Sequence, residues 1–104
     1  MSYTIEISPQ AIDDLKEIKS YIENNLQNPI AAKNTINKII STYEDLIIMP
    51  ESGIPVQKYV SFPTDYRFVL ANNYSIFYRI ESEIIYVIRI LYSKRDFINI
   101  LFTN

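Results

Sequence analysis

Residues 66–92 read YRFVLANNYSIFYRIESEIIYVIRILY, and this stretch decides the fold. It consists of three runs rich in aromatic and β-branched residues, Tyr66–Ala71, Tyr74–Ile80 and Ile84–Tyr92. Asn72-Asn73 and Glu81-Ser82-Glu83 separate them, and spacers this short between such runs are hairpin turns. The stretch therefore predicts a three-stranded antiparallel meander. Alternation places Tyr74, Ile76, Tyr78 and Ile80 on one face and Ser75, Phe77 and Arg79 on the other. In the last run it sets Ile84, Tyr86, Ile88, Ile90 and Tyr92 against Ile85, Val87, Arg89 and Leu91. The larger apolar set is expected to meet the helices, which leaves Arg79 and Arg89 on the opposite, partner-facing side.

Upstream lie two helical patterns. Ser8-Pro9 is a start signal, since Ser accepts an orphan N–H and Pro loses nothing at the first helical position. Ala11, Ile12, Leu15, Ile18, Ile22 and Leu26 follow at helical spacing. Asp13 and Asp14 in the early turns suit the helix dipole, and with Glu17 they read as solvated rather than metal-binding. Asn28-Pro29 repeats the start, and a second stripe of Ala32, Ile36, Ile39, Ile40, Tyr43, Leu46 and Ile47 ends near Met49-Pro50. The two helices form an antiparallel hairpin. Residues 3–8 alternate as a short strand. Residues 50–65, with Pro50, Gly53, Pro55 and Pro63, read as an irregular connection. Downstream, Ser93 and Asp96 resemble a capping box opening a short helix from Lys94 to Phe102. The expectation is one α+β domain over residues 1–104: N-terminal strand, antiparallel helical hairpin, three-stranded antiparallel meander and short C-terminal helix, with the helices on one face of the sheet.

Composition narrows the chemistry. The chain has 104 residues, 48% of them hydrophobic, enough for one core and too few for two domains. It has no Cys and no His, which removes disulfides, thiolate ligands, cysteine nucleophiles and the usual base near neutral pH. No metal ligand set or cofactor motif is present, so neither a metal nor an organic cofactor is expected. The lone Gly53 is a turn residue, not a phosphate loop. The residues after Met1 do not form a signal peptide, and the apolar runs are too short to span a bilayer, so a cytoplasmic protein is expected.

The net charge of −2 hides an asymmetry. Residues 1–57 carry four Lys against eight carboxylates, and residues 58–104 carry six cations against four carboxylates. Every Arg lies in the second half. Arg grips phosphate or carboxylate bidentately where Lys acts as a point charge, so the second half is where anion recognition is expected. A solvated sheet face with weak ion pairs from Arg79 to Glu81 or Glu83 explains the same residues equally well. Ile98, Leu101 and Phe102 in the last helix suit self-packing, a detachable lid or an exposed groove alike.

Several strings in order resemble the RelE/ParE superfamily of toxins from type II toxin–antitoxin pairs. They are Ile7-Ser8-Pro9-Gln10-Ala11, Asp14-Leu15-Lys16-Glu17-Ile18 leading to Tyr21-Ile22, Pro50-Glu51-Ser52-Gly53, Asn73 to Ile80, and Ile88 to Asp96. They cover essentially the whole chain. The resemblance implies a growth-inhibiting toxin neutralised by a cognate antitoxin that wraps it. It offers two targets. RelE-type members cleave mRNA in the ribosomal A site, and ParE-type members bind and trap DNA gyrase.

For a RelE-type enzyme the resemblance would make Arg95, Arg67 and Lys94 catalytic, with Tyr66 and Tyr92 stacking on bases or donating protons. The sequence departs from that pattern. Ser75 stands where an Arg is expected, Val69 where a Lys is, and Leu101 where the C-terminal catalytic Tyr is. A net negative chain also lacks the diffuse positive field of a ribosome binder. The ParE-type reading therefore leads, with Arg79, Arg89, Tyr66, Tyr92 and Phe102 as partner-binding residues. The alternatives are an mRNA endoribonuclease and a non-toxic, antitoxin-binding co-repressor.

Overall fold

The computed structural model describes residues 2–103. The meander forms as strands β3 (Arg67–Ala71), β4 (Tyr74–Glu81) and β5 (Ile84–Tyr92). Asn72 and Ser82 open the two turns at φ 52° and 56°, left-handed geometry that Asn tolerates better than most residues. Strand β1 (Thr4–Ile7) joins one edge and the two-residue β2 (Ile54–Pro55) the other, giving the order β1-β5-β4-β3-β2. The β1 strand runs parallel to β5, so the sheet is not wholly antiparallel as expected. The irregular connection also contains β2 and single 3-10 turns at Pro50–Ser52 and Val56–Tyr59.

Helices α1 (Pro9–Ser20) and α2 (Pro29–Glu44) start where the Ser-Pro and Asn-Pro signals place them. Ser8 Oγ accepts from the Ala11 N–H, and Asn28 Oδ1 from the Ala31 N–H, each at 3.0 Å. Beyond α1 the chain widens into a π-helical turn over Tyr21–Asn25 before reversing. The hairpin packs Ala11, Ile18, Ile22, Ala32, Ile39, Tyr43 and Leu46 on Ile76, Tyr78, Ile85, Val87 and Ile90 of the sheet. This is the main core.

The last helix departs from expectation twice. Helix α3 (Phe97–Phe102) is capped by Asp96, which accepts from the Asn99 N–H, and not by Ser93. Ser93 Oγ instead meets Ser75 Oγ at 3.0 Å. Helix α3 also packs on the opposite face from the hairpin. There Phe97, Ile100, Leu101 and Phe102 join Tyr66 and Phe68 around Val56, Phe77 and Leu91. The sheet is thus covered on both sides, because Phe77 and Leu91 need burial as much as Ile76 and Ile90 do.

Strand alternation holds in β4 and breaks in β5. Phe77 is opposite Arg89 but Tyr78 is opposite Val87, so Ile88 is an extra, bulged residue. Before the bulge Ile85 and Val87, not Ile84 and Tyr86, face the helices; after it Ile90 does. The bulge also presents the Val87 and Ile88 carbonyls to the same edge. Ser8 takes both, donating its N–H to Val87 O at 2.9 Å and its hydroxyl to Ile88 O at 2.7 Å. Where β1 has ended, the Asp14 carboxylate completes that edge by accepting from the Ile90 N–H at 2.9 Å.

The same carboxylate binds Arg89 bidentately, Nε to Oδ2 at 2.8 Å and Nη2 to Oδ1 at 2.9 Å. Arg89 is therefore paired to α1 rather than turned to a partner, and Asp14 is buried rather than solvated. The hydrogen bonding that Arg89 donates to Asp14 raises the Arg89 pKa and outweighs its desolvation. Removing one member leaves the other charge uncompensated. Asp14→Ala should cost about 3 kcal/mol in urea unfolding, and Asp14→Leu with Arg89→Met should recover most of it. An Asp14→Ala protein as stable as the parent would remove the pair from any structural role.

A second clamp lies at the other end of the sheet. Tyr78 and Arg67 are cross-strand partners, and both reach the 50–53 turn. Tyr78 Oη donates to Pro50 O at 2.7 Å and accepts from the Gly53 N–H at 3.0 Å. Arg67 Nη1 donates to Glu51 O at 3.1 Å and Gly53 O at 2.9 Å. A Cβ on Gly53 would sit 2.7 Å from Tyr78 Cε1 and 2.9 Å from Cζ, inside a fully buried ring. Steric approach, not left-handed backbone, is why the single glycine stands here. Gly53→Ala should lower the urea midpoint by the equivalent of about 1–3 kcal/mol, the usual cost of overpacking. An unchanged midpoint would show that the turn can retreat from Tyr78 freely.

Candidate functional site

The arginines are mostly committed within the fold. Arg67 holds the 50–53 turn and Arg89 holds α1. Arg79 lies on the sheet face away from the hairpin, pairs with Glu81 at 2.9 Å and Asp65 at 3.5 Å, and sits over the Tyr86 ring at 5.8 Å. Hydrogen bonding to Glu81, then the Asp65 charge, raises its pKa against desolvation. Such an exposed pair contributes little stability, yet it satisfies the charge locally. Lys94 and Arg95 differ. They are exposed on the turn after β5, and among the described residues neither has an acidic partner.

The aromatic candidates separate into two groups. Tyr66 stacks on Phe102 with centroids 5.4 Å apart and planes 22° apart, and Phe62 meets Phe102 edge-on at 4.8 Å. Tyr66 and Phe102 are therefore partners of each other, closing the 60–66 segment over α3. Tyr92 stands on the other side of the sheet, 42% exposed and edge-on to Tyr74 at 5.9 Å.

Tyr92 and Arg95 line a groove of about 820 Å³. Ile18, Ile22 and Ile90 form its apolar base, Tyr21, Tyr74 and Tyr92 its walls, and Glu17 and Arg95 its charged rim. Each wall has a local cause. The π-helical turn brings out Tyr21, which is 52% exposed rather than core, and leaves Leu26 at 56%. The Asn72-Asn73 turn sets Tyr74 at the start of β4, opposite Tyr92 in register. Burial raises the Tyr74 pKa, and the neighbouring Tyr21 and Tyr92 raise it further, so this phenol remains protonated and neutral around pH 7.

The sequence reading included Tyr92 and Arg95 but not Tyr21, Tyr74 or Leu26. A sign of them was available: the Asn24-Asn25 break after Tyr21-Ile22 ends a regular helix and pushes its last aromatic outward. The candidate catalytic group Arg95, Arg67 and Lys94 is only partly brought together. Lys94 and Arg95 are adjacent, while Arg67 is bonded to the 50–53 turn. Among the described residues no cluster of three His, Cys, Asp or Glu could hold a metal, and no helix is long and apolar enough to cross a membrane.

Known proteins place this arrangement. Residues 5–97 match the family described as "ParE toxin of type II toxin-antitoxin system, parDE". The fold is similar to a solved structure titled "Chromosomal ParDE TA system from P. aeruginosa", with a TM-score of 0.70 at 19% identity over 85% of this chain and 92% of that one. No curated protein matches the sequence. An apolar, tyrosine-walled groove beside a helical hairpin, with most arginines turned to structural work, thus occurs on a chain that belongs to the ParE toxin family of type II toxin–antitoxin systems.

Proposed function

We propose that this ParE-type toxin arrests growth by stoichiometric binding to DNA gyrase in the cytoplasm, and that its cognate antitoxin silences it by laying an amphipathic segment in the tyrosine groove. One observation carries the first part: the three cations that RNA cleavage would use do not meet, because Arg67 is bonded to the 50–53 turn while Lys94 and Arg95 lie on the turn after β5. Cleavage requires a base for the 2′-hydroxyl, donors for the phosphorane and an acid for the leaving oxygen, all around one phosphate. Arg67 and Arg89 are bonded to main-chain and side-chain acceptors, and Leu101 packs with the α3 cluster without an ionisable group. Lys94 and Arg95 remain for anion contact, which suits a binding surface.

The groove supports the second part. Its apolar base accepts branched side chains one helical turn apart, and tyrosine walls give large contact area at low entropic cost. Glu17 and Arg95 at opposite signs fix the direction of the segment.

Two measurements test these readings. Induced expression of the toxin alone should block supercoiling and leave mRNA 5′ ends unchanged in the same culture. New ends phased to the ribosomal A site would transfer Arg95 and Lys94 to a nuclease, and a healthy culture would favour the co-repressor. Separately, Tyr92→Ala should weaken antitoxin binding by about 2 kcal/mol in calorimetry, the loss typical of a buried aromatic anchor, with the thermal midpoint unchanged. Affinity equal to the parent's would place the antitoxin elsewhere.

A further inference from the structure

The sheet edge beside β3 is unfinished. The β2 strand pairs only Ile54 with Phe68 and Pro55 with Arg67. Tyr66 O bonds the Val56 N–H on that side, and the two-residue alternation points the Leu70 N–H and C=O the same way, past the end of β2. Among the described residues nothing pairs with them. The Leu70 side chain is 56% exposed.

Natural sheets usually cover or charge such an edge. Here Ile54 and Leu70 expose apolar surface at the edge itself. Ile48 is 82% exposed and Met49 65%, in the turn that follows α2. Between the end of α2 and the β3 edge runs a second groove of about 370 Å³, with Leu46, Phe68 and Leu70 along it and Asp45 on its rim. Asp45 is exposed there, and among the described residues it is in no ion pair. An open ladder, an apolar trough and an unpaired rim carboxylate coincide.

We infer that a strand of the cognate antitoxin adds to the sheet at Leu70, putting apolar side chains into this trough and a Lys or Arg against Asp45. Charge complementarity selects the occupant: a second copy of this chain pairing edge to edge would set Asp45 against Asp45, whereas a basic strand neutralises it. Continuity points to the antitoxin. Thr35 borders the tyrosine groove and Thr42 the trough, both on α2 and about 10 Å apart along its axis. About four extended residues cover that distance, so one chain can occupy both sites. The inference rests on the antitoxin reading above but uses residues that the tyrosine groove does not.

The test uses the purified toxin–antitoxin complex and the free toxin. Amide exchange at Leu70 should be fast in the free chain and strongly slowed in the complex. Leu70→Lys and Asp45→Lys, both at exposed positions, should each weaken antitoxin affinity about tenfold while the thermal midpoint holds. Unchanged affinity with an unprotected Leu70 amide would overturn the inference, even if Tyr92→Ala still weakens binding, because that pattern assigns the antitoxin to the tyrosine groove alone. Leu70 protection in free toxin that grows with its concentration would overturn it as well, in favour of a second copy.

Discussion

The Asp14 carboxylate is the interaction on which the rest of the structure depends. It meets three donors: Nε and Nη2 of Arg89 and the N–H of Ile90. With Ser8, which bonds the Val87 and Ile88 carbonyls while capping α1, it converts the open end of the β5 edge into a helix-to-strand seam. The two walls of the tyrosine groove grow from that seam. Ile18 and Tyr21 lie one and two turns after Asp14, and Tyr92 and Arg95 follow Ile90. Desolvating two charges offsets most of their attraction, so the pair contributes position more than net stability. It sets where α1 sits along β5, which purely apolar packing would leave free to slide.

The opposite end of the molecule uses the same economy with different atoms. Arg67 and Tyr78 reach from adjacent strands to hold the carbonyls of a turn whose glycine has no room for a side chain. Three of the four arginines thus act inside the fold or in a local surface pair. Charge segregation along a sequence is therefore a poor guide to a basic surface. A guanidinium offers five donors, and main-chain carbonyls at tight turns use them as readily as a phosphate does.

What could be read from the sequence follows from the range of the physics involved. The strand limits, both helix starts and the Asn72-Asn73 turn rest on neighbours within four residues, and they match the structure closely. The β5 bulge was not legible. Alternation has no means of skipping Ile88, so the faces of Ile84 to Val87 were inverted; Arg89 keeps the expected face, opposite Phe77, but its guanidinium is taken by Asp14 of α1. The parallel placement of β1 and the crossing of α3 to the second face depend on distant partners, such as Val87 for Ser8 and Phe77 for Phe97. Asp14 is an intermediate case. Its spacing from Ala11 and Ile18 puts it on the buried stripe, and the helix-dipole reading obscured that signal. Of the site, Tyr92 and Arg95 could be found by position, whereas Tyr21 is brought out by a π-helical turn whose sequence sign is the Asn24-Asn25 break rather than any periodicity.

A toxin held by a separate chain must be bound tightly yet remain releasable, and the proposed use of two grooves bears on how that is reached. Each is small and open, with a few apolar anchors and one or two charges, so either alone suits modest affinity. A short connection along α2 would make the second contact intramolecular, at an effective concentration on the order of millimolar. The product of two modest affinities is then strong without a large rigid interface. The same arrangement is fragile in a useful sense. Cutting or unfolding the connecting segment returns each contact to its own weak affinity, with no change in the toxin itself. In the proposed arrangement the clasp at Asp14 keeps the tyrosine groove preformed, so the antitoxin would meet a surface already in its bound shape.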